Sequence, residues 1–180
     1  DEYPFDGLCG AGVAFKLVLA VTMAMGKSTN ECFKRYIDLV AVGTIADVVP
    51  LKNENRVFVD RGLKLLQNPE RPGLRALLEI SGANHPVKAS TVGFSIAPRL
   101  NAAGRLANAS VGVELLLTDD CQKAMELAKT LNEANKQRQE TEQEIYDEAV
   151  DMIARDPNFE KKKVIVLHKE GWHQGVIGIV

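Results

Sequence analysis

The stretch DDCQKAMELAKTLNEANKQRQETEQEIYDEAVDMIAR, residues 119–155, decides the fold. It contains neither Gly nor Pro and is rich in the helix formers Glu, Gln, Lys and Ala, so it predicts one long helix. Its ends carry apolar residues at helical spacing: Ala124, Leu127 and Leu131, then Ile145, Ala149 and Met152. In the middle, over 132–144, Ala134 is the sole apolar residue. A helix that is polar all round there bridges two packed bodies through solvent. At ~1.5 Å per residue it would span roughly 50 Å. The competing reading is a disordered charged linker.

Working outward, the residues before 119 predict a helical body. Gly10-Ala-Gly12 leads into a run that is apolar nearly all round, a buried helix stopped by Gly26. Ser28-Thr-Asn-Glu31 has capping-box spacing and opens a helix with Phe33, Ile37 and Val40 on one face. Asn53 is placed to cap a third, with Val57, Leu63 and Leu66 inward. Pro72-Gly-Leu74 opens a short helix through Leu77, Leu78 and Ile80. Ser90 is placed to cap another helix, which contains Val92, Phe94 and Ile96 and ends at Pro98. A further helix starts at Asn108 and runs through Val111 and Leu115. Beyond 155, Val164-Ile-Val-Leu167 predicts a buried strand from its β-branched run.

Composition excludes more than it assigns. The 180 residues carry 22 Lys+Arg against 24 Asp+Glu, a net charge of −2, so no overall basic excess announces a nucleic-acid binder. The longest apolar run, 13–25, contains Lys16 and falls short of the ~20 residues a membrane span needs. Cys9, Cys32 and Cys121 lack metal-ligand spacing and read as reduced thiols of a cytoplasmic protein. His168 and His173, five apart, do not share a helical face and make a poor zinc pair. The chain has no initiator Met, opens Asp1-Glu-Tyr-Pro4 and stops inside the apolar Gly175-Val-Ile-Gly-Ile-Val180. It therefore reads as an internal segment of something longer.

Two places could carry chemistry. From 81 to 113 there is no Asp or Glu, but there are Lys88, Arg99 and Arg105. Pro98-Arg-Leu-Asn101-Ala-Ala-Gly104-Arg105 sets two guanidiniums around an amide, with a Gly beside the second. Guanidinium forks match phosphate oxygens, and a Gly lets a ligand approach the backbone closely. The competing role is that Arg99 or Arg105 pairs a carboxylate elsewhere. The second place is Asp47, a carboxylate inside the apolar Ile45-Ala46-Asp47-Val48-Val49. In such company it would be a metal ligand, a helix cap, or a partner for Arg56 or Arg61. One carboxylate cannot build a two-metal site.

These segments carry a resemblance. Gly43-Thr-Ile-Ala-Asp-Val-Val-Pro-Leu51 with Glu54-Asn-Arg56, then the Pro98 to Arg105 string, resemble the DHH phosphoesterase family, in its branch of single-strand-specific DNA exonucleases. Leu8-Cys-Gly-Ala-Gly-Val-Ala-Phe-Lys-Leu17 and Gly171-Trp-His-Gln-Gly-Val-Ile-Gly178 fit the same pattern in the same order. The resemblance implies an α/β protein of which this chain is the α-rich part. Residues 1–118 would be the C-terminal part of a DHH domain, 119–157 the connector helix, and 158–180 the start of a DHHA1 domain with its first strand. It implies that Asp47 is a metal ligand, hence catalytic, for Mn2+ or Mg2+. The remaining ligands, the family's Asp-x-Asp and Asp-His-His elements, are absent here. It further implies that Arg99, Asn101 and Arg105 bind substrate phosphate, with Trp172 and His173 near the DNA groove. The implied activity is 5′-to-3′ exonucleolytic hydrolysis of single-stranded DNA. Single-stranded DNA is the implied partner, with a single-stranded-DNA-binding protein as a further one. Two alternatives stay open: a DHH phosphodiesterase acting on oligonucleotides or cyclic dinucleotides, and a nucleic-acid-binding relative that has lost its metal ligands.

Overall fold

The computed structural model describes residues 3–106 and 109–180. Ser28 accepts a hydrogen bond from the Glu31 amide at 3.2 Å and opens α2 (Thr29–Ala46), as the capping spacing requires. Before it runs α1 (Gly10–Ala24), and after it α3 (Asn53–Leu66) and α4 (Pro72–Ile80), the latter with Pro at its first position. Next, α5 (Ala89–Thr91), a π-turn (Val92–Ile96) and α6 (Ala97–Leu106) follow one another without a break. Last come α7 (Ser110–Leu117) and α8 (Cys121–Ala154). The expected start of α7 at Asn108 lies outside the described residues.

The main core gathers Leu74, Leu77, Leu78, Val92, Ile96 and Leu115 around Ala124, Ala128 and Leu131 of α8. The apolar N-terminal end of the long helix is thus part of the helical body. A second cluster packs Phe15, Ile37, Val40 and Phe58 between α1, α2 and α3, with the Phe15 and Phe58 rings edge-to-face at 5.5 Å. There, α3 lies so close to α2 that a Cβ on Gly62 would stand 2.2 Å from the Ala41 Cβ and 2.5 Å from the Ile37 carbonyl oxygen. Gly62→Ala is expected to destabilise the chain by about 2 kcal/mol. Overpacking costs up to about 3 kcal/mol, and the gain in helix propensity returns only about 1 kcal/mol. Thermal unfolding of the two forms checks this.

Several expectations are corrected. The helix α1 is not buried: Val13, Leu17, Val21 and Met23 are exposed, because α2 covers only the face carrying Phe15. Val57 faces outward while Phe58 and Val59 face in, since α3 buries Asn55, Phe58, Val59, Gly62 and Leu66. The 164–167 run forms no strand. Val164, Ile165 and Val166 are exposed, and no described residue offers a sheet edge for them to pair with. Among the described residues the chain is helical, without strands. The connector is one helix as expected, but its middle is not solvated all round. Leu131, Asn135 and Ile145 are buried, with Arg138 and Glu142 half-buried on the same face, at helical spacing toward α6 and the C-terminal tail.

Candidate nucleic-acid interface

The helix 89–106 is anchored on one face and open on the other. Val92, Ile96 and Ala103 enter the main core. Gln67 fixes the entry, its amide nitrogen donating to the Val87 carbonyl at 2.8 Å and its amide oxygen accepting from the Val87 amide at 2.9 Å. The open face carries Ser90, Phe94, Pro98, Asn101 and Arg105, spaced so that helical geometry stacks them in one stripe. With Val48 from the end of α2 and Arg138 and Glu142 from α8, this stripe lines a cleft of about 580 Å³.

Asn101 is exposed and its amide has no partner among the described residues. Arg105 donates from Nη1 to the Gly175 carbonyl at 2.8 Å, which leaves most of its five donors for a ligand. Arg138 donates from Nε to Asn135 Oδ1 at 3.3 Å and is ion-paired with Glu142. Its side chain is only 12% exposed, so this cation is set in place by the connector. Sequence reasoning misses Arg138 because the composition of 132–144 describes a solvated helix. The available signal is its spacing from Leu131, Asn135 and Glu142.

Arg99 does not join Arg105. Six residues along a helix put the two on different faces. Arg99 donates from Nε to Asn132 Oδ1 at 2.9 Å and from Nη1 to the Ser95 carbonyl at 2.6 Å, and burial lowers its pKa. It pins α6 to α8 instead of lining the cleft, so the two-arginine clamp is not assembled. Gly104 is exposed in the last turn of α6, with open space where a Cβ would stand.

Asp47 caps the C-terminal end of α2 and is exposed, between Ala46 and Val48 of the cleft wall. Neither Arg56 nor Arg61 pairs it, and no hydrogen-bond partner of its carboxylate exists among the described residues. An anion at the negative end of a helix is electrostatically unfavourable. Val48 adds a second local cost, since its φ of 55° is the left-handed region that β-branched residues avoid. Below this turn, buried Asn55 donates to the Gly7 carbonyl at 2.7 Å and the Pro50 carbonyl at 3.0 Å, tying the segment after Asp47 to the N-terminal segment of the chain. Among the described residues no three His, Cys, Asp or Glu side chains group to hold a metal. The residues present supply one ligand at most and do not make a metal centre.

The C-terminal tail folds back on this region. A Cβ on Gly175 would stand 2.7 Å from the Arg105 carbonyl oxygen and 3.1 Å from the His173 ring, so only Gly allows the approach. His173 is exposed, and its Nδ1 accepts from the Gly175 amide at 3.1 Å, leaving Nε2 as the donor. Trp172 is half-buried and donates from Nε1 to Glu148 Oε2 of the connector at 2.7 Å. Hydrogen bonds from Lys169 and then Trp172 hold the Glu148 carboxyl below its ordinary value near 4.5. A depressed carboxyl contributes stability above its unfolded pKa and loses it as pH falls through the folded value. The sole Trp should therefore red-shift its emission as acid titrates the Glu148 carboxyl, and Glu148→Gln should remove that step.

The chain is homologous, over nearly all its length, to exonucleases specific for single-stranded DNA. Those relatives are RecJ proteins. It is 42% identical over 179 residues to RecJ of Bacillus subtilis (strain 168), covering 99% of this chain and 22% of that protein. It is 39% identical over 192 residues to RecJ of Escherichia coli (strain K12), covering 33% of that protein. The crystal structure of RecJ with Mg2+ from Thermus thermophilus superposes with a TM-score of 0.85 at 40% identity, over 99% of this chain and 27% of that one. A manganese-bound exonuclease RecJ gives a TM-score of 0.84 at 39% identity, with 44% of that chain covered. No family model matches the chain. The chain thus spans about a fifth to a third of the length of the curated relatives it matches. Among the described residues no helix is long and apolar enough to cross a membrane.

Proposed function

We propose that this chain is the helical part of a divalent-metal-dependent, 5′-to-3′ single-stranded-DNA exonuclease of the DHH phosphoesterase family. The observation that carries the reading is the cleft between helix 89–106 and the connector, where Asn101 and Arg105 face Arg138 and the one acidic lining residue, Glu142, is already paired. Residues 1–118 complete a DHH domain, 119–157 connect, and 158–180 begin a DHHA1 domain. Arg105 offers a fork to a phosphate and Asn101 an amide donor, which position the strand without reading sequence. His173 offers Nε2–H from the tail side, and Arg99 acts through the α6–α8 junction. Asp47 would hold one of two Mn2+ or Mg2+ ions, with the other ligands outside this chain. Such ions supply an activated water and neutralise charge on the scissile phosphate. Single-stranded DNA is the substrate partner, a single-stranded-DNA-binding protein a second partner, and the location cytoplasmic.

The test is digestion by the full-length protein that contains this chain. With Mn2+ or Mg2+ it should degrade 5′-labelled single strands and spare duplex, while the 180-residue chain alone stays inactive. Cleavage of cyclic dinucleotides with no attack on long strands would favour the small-substrate phosphodiesterase. Binding without hydrolysis would favour a non-catalytic relative.

A further inference from the structure

Phe94 is 84% exposed, although it sits in the middle of a helix whose neighbours Val92 and Ile96 are fully buried. It occupies the π-turn, where the Ala97 amide bonds back to the Val92 carbonyl five residues earlier. Such turns are found disproportionately at functional sites. Helical geometry puts Phe94 at the head of a stripe that continues through Pro98, Asn101 and Arg105, and all four line the cleft. The same cleft receives Val48, itself 87% exposed and held in a left-handed conformation, and the half-buried cation Arg138. A flat apolar ring leaving the core for a cleft that combines apolar and small residues with the Asn101 amide and the Arg105 and Arg138 guanidiniums matches a ligand with flat faces and anionic links.

We infer that Phe94 is a stacking platform for one base of a single-stranded nucleic acid whose phosphates, farther along the strand, lie along Asn101 and Arg105. The inference rests on the single-strand reading given above and adds to it a positioning residue on the base side. The charge around it fits one occupant. From 81 to 113 the sequence has no acid, and Glu142, the acidic lining residue, is paired with Arg138, which leaves the Arg105 guanidinium without a carboxylate partner among the described residues. Stacking on an aromatic ring is indifferent to base identity, since every base has a π-face. Phe94 therefore contributes grip without sequence preference, and it sits about 16 Å along the helix axis from Arg105, at ~1.5 Å per residue. The platform and the phosphate contacts would thus engage different nucleotides of one strand.

The experiment uses the full-length protein that contains this chain, without divalent metal so that binding is read apart from turnover. Affinity is measured for a single-stranded oligonucleotide and for a set in which each base in turn is removed to leave an abasic site. Phe94→Ala should weaken binding to the intact strand by roughly 5- to 150-fold, and Phe94→Tyr should retain most of the affinity. One abasic position should cost the wild type the same factor and cost Phe94→Ala nothing more. Wild-type binding with Phe94→Ala unchanged would overturn the inference and leave the exonuclease reading standing. So would a loss in Phe94→Ala that is equal on every abasic strand. A lowered melting temperature for Phe94→Ala with unchanged binding would show that another protein segment covers the ring, and would overturn it as well. If the wild type binds no single strand at all, the functional reading fails, and the inference fails with it.

Discussion

Asp47→Ala in the full-length protein is expected to abolish turnover while leaving the fold at least as stable. The carboxylate contributes nothing visible to the folded chain: it is exposed, unpaired among the described residues, and placed at the helix end where a negative charge is repelled. Removing it should return a few tenths of a kcal/mol, up to about 1. The proposed ligand role accounts for loss of turnover without loss of stability. Mn2+ titration by calorimetry should show weaker binding or the loss of a site, and thermal unfolding should show an unchanged or slightly higher midpoint. Normal activity across the Mn2+ titration would remove Asp47 from the ligand set. Loss of both activity and thermal stability would make it structural.

The second large effect belongs to Arg105. Arg105→Ala should slow cleavage by one to two decades, because a charge-assisted contact to phosphate is worth roughly 1.5–3 kcal/mol. Lys88→Ala should do little. Both substitutions remove one positive charge from the acid-free stretch, but Lys88 is exposed before α5 and does not line the cleft. The salt slope of single-strand binding should fall by roughly 0.7 for a lost phosphate contact. Arg105 also holds the tail through the Gly175 carbonyl, so Arg105→Lys is the needed control. It keeps the charge and an ammonium donor but not the planar fork, and should fall between wild type and alanine. Equal losses at Lys88 and Arg105 would reduce this region to diffuse positive potential.

What was legible in the sequence was local. Ser28 ahead of Glu31, Pro72 at a helix start, and the breaker-free stretch 119–155 each set an element through chemistry contained in a few neighbouring residues. What was not legible depended on partners. The apolarity of α1 could not say which face a neighbour would cover, and the 164–167 run has the composition of a strand without an edge to pair with. The helix containing Phe94 was expected, but not the outward face that Phe94 occupies. Positions 92, 94 and 96 alternate, which suits a strand, whereas in a helix residue 94 points away from the face shared by 92 and 96. The candidate site was half visible for the same reason. The Pro98 to Arg105 string announced its donors, but helical geometry divides them, sending Arg99 to Asn132 and Arg105 to the cleft. Arg138 belongs to the cleft only because α6 lies against α8, a long-range contact that no local pattern encodes.

The central claim is that the cleft between helix 89–106 and the connector holds a single strand. Photocrosslinking tests it most directly: the full-length protein is irradiated without divalent metal on single-stranded DNA carrying 5-bromouracil, then digested with trypsin. Adducts are expected on the peptides 89–99 and 100–105, lost when unlabelled single strand competes and retained when duplex does. Adducts confined to other surfaces, such as the polar cleft around Lys34, Arg35 and Arg71, with none on 89–105, would contradict it.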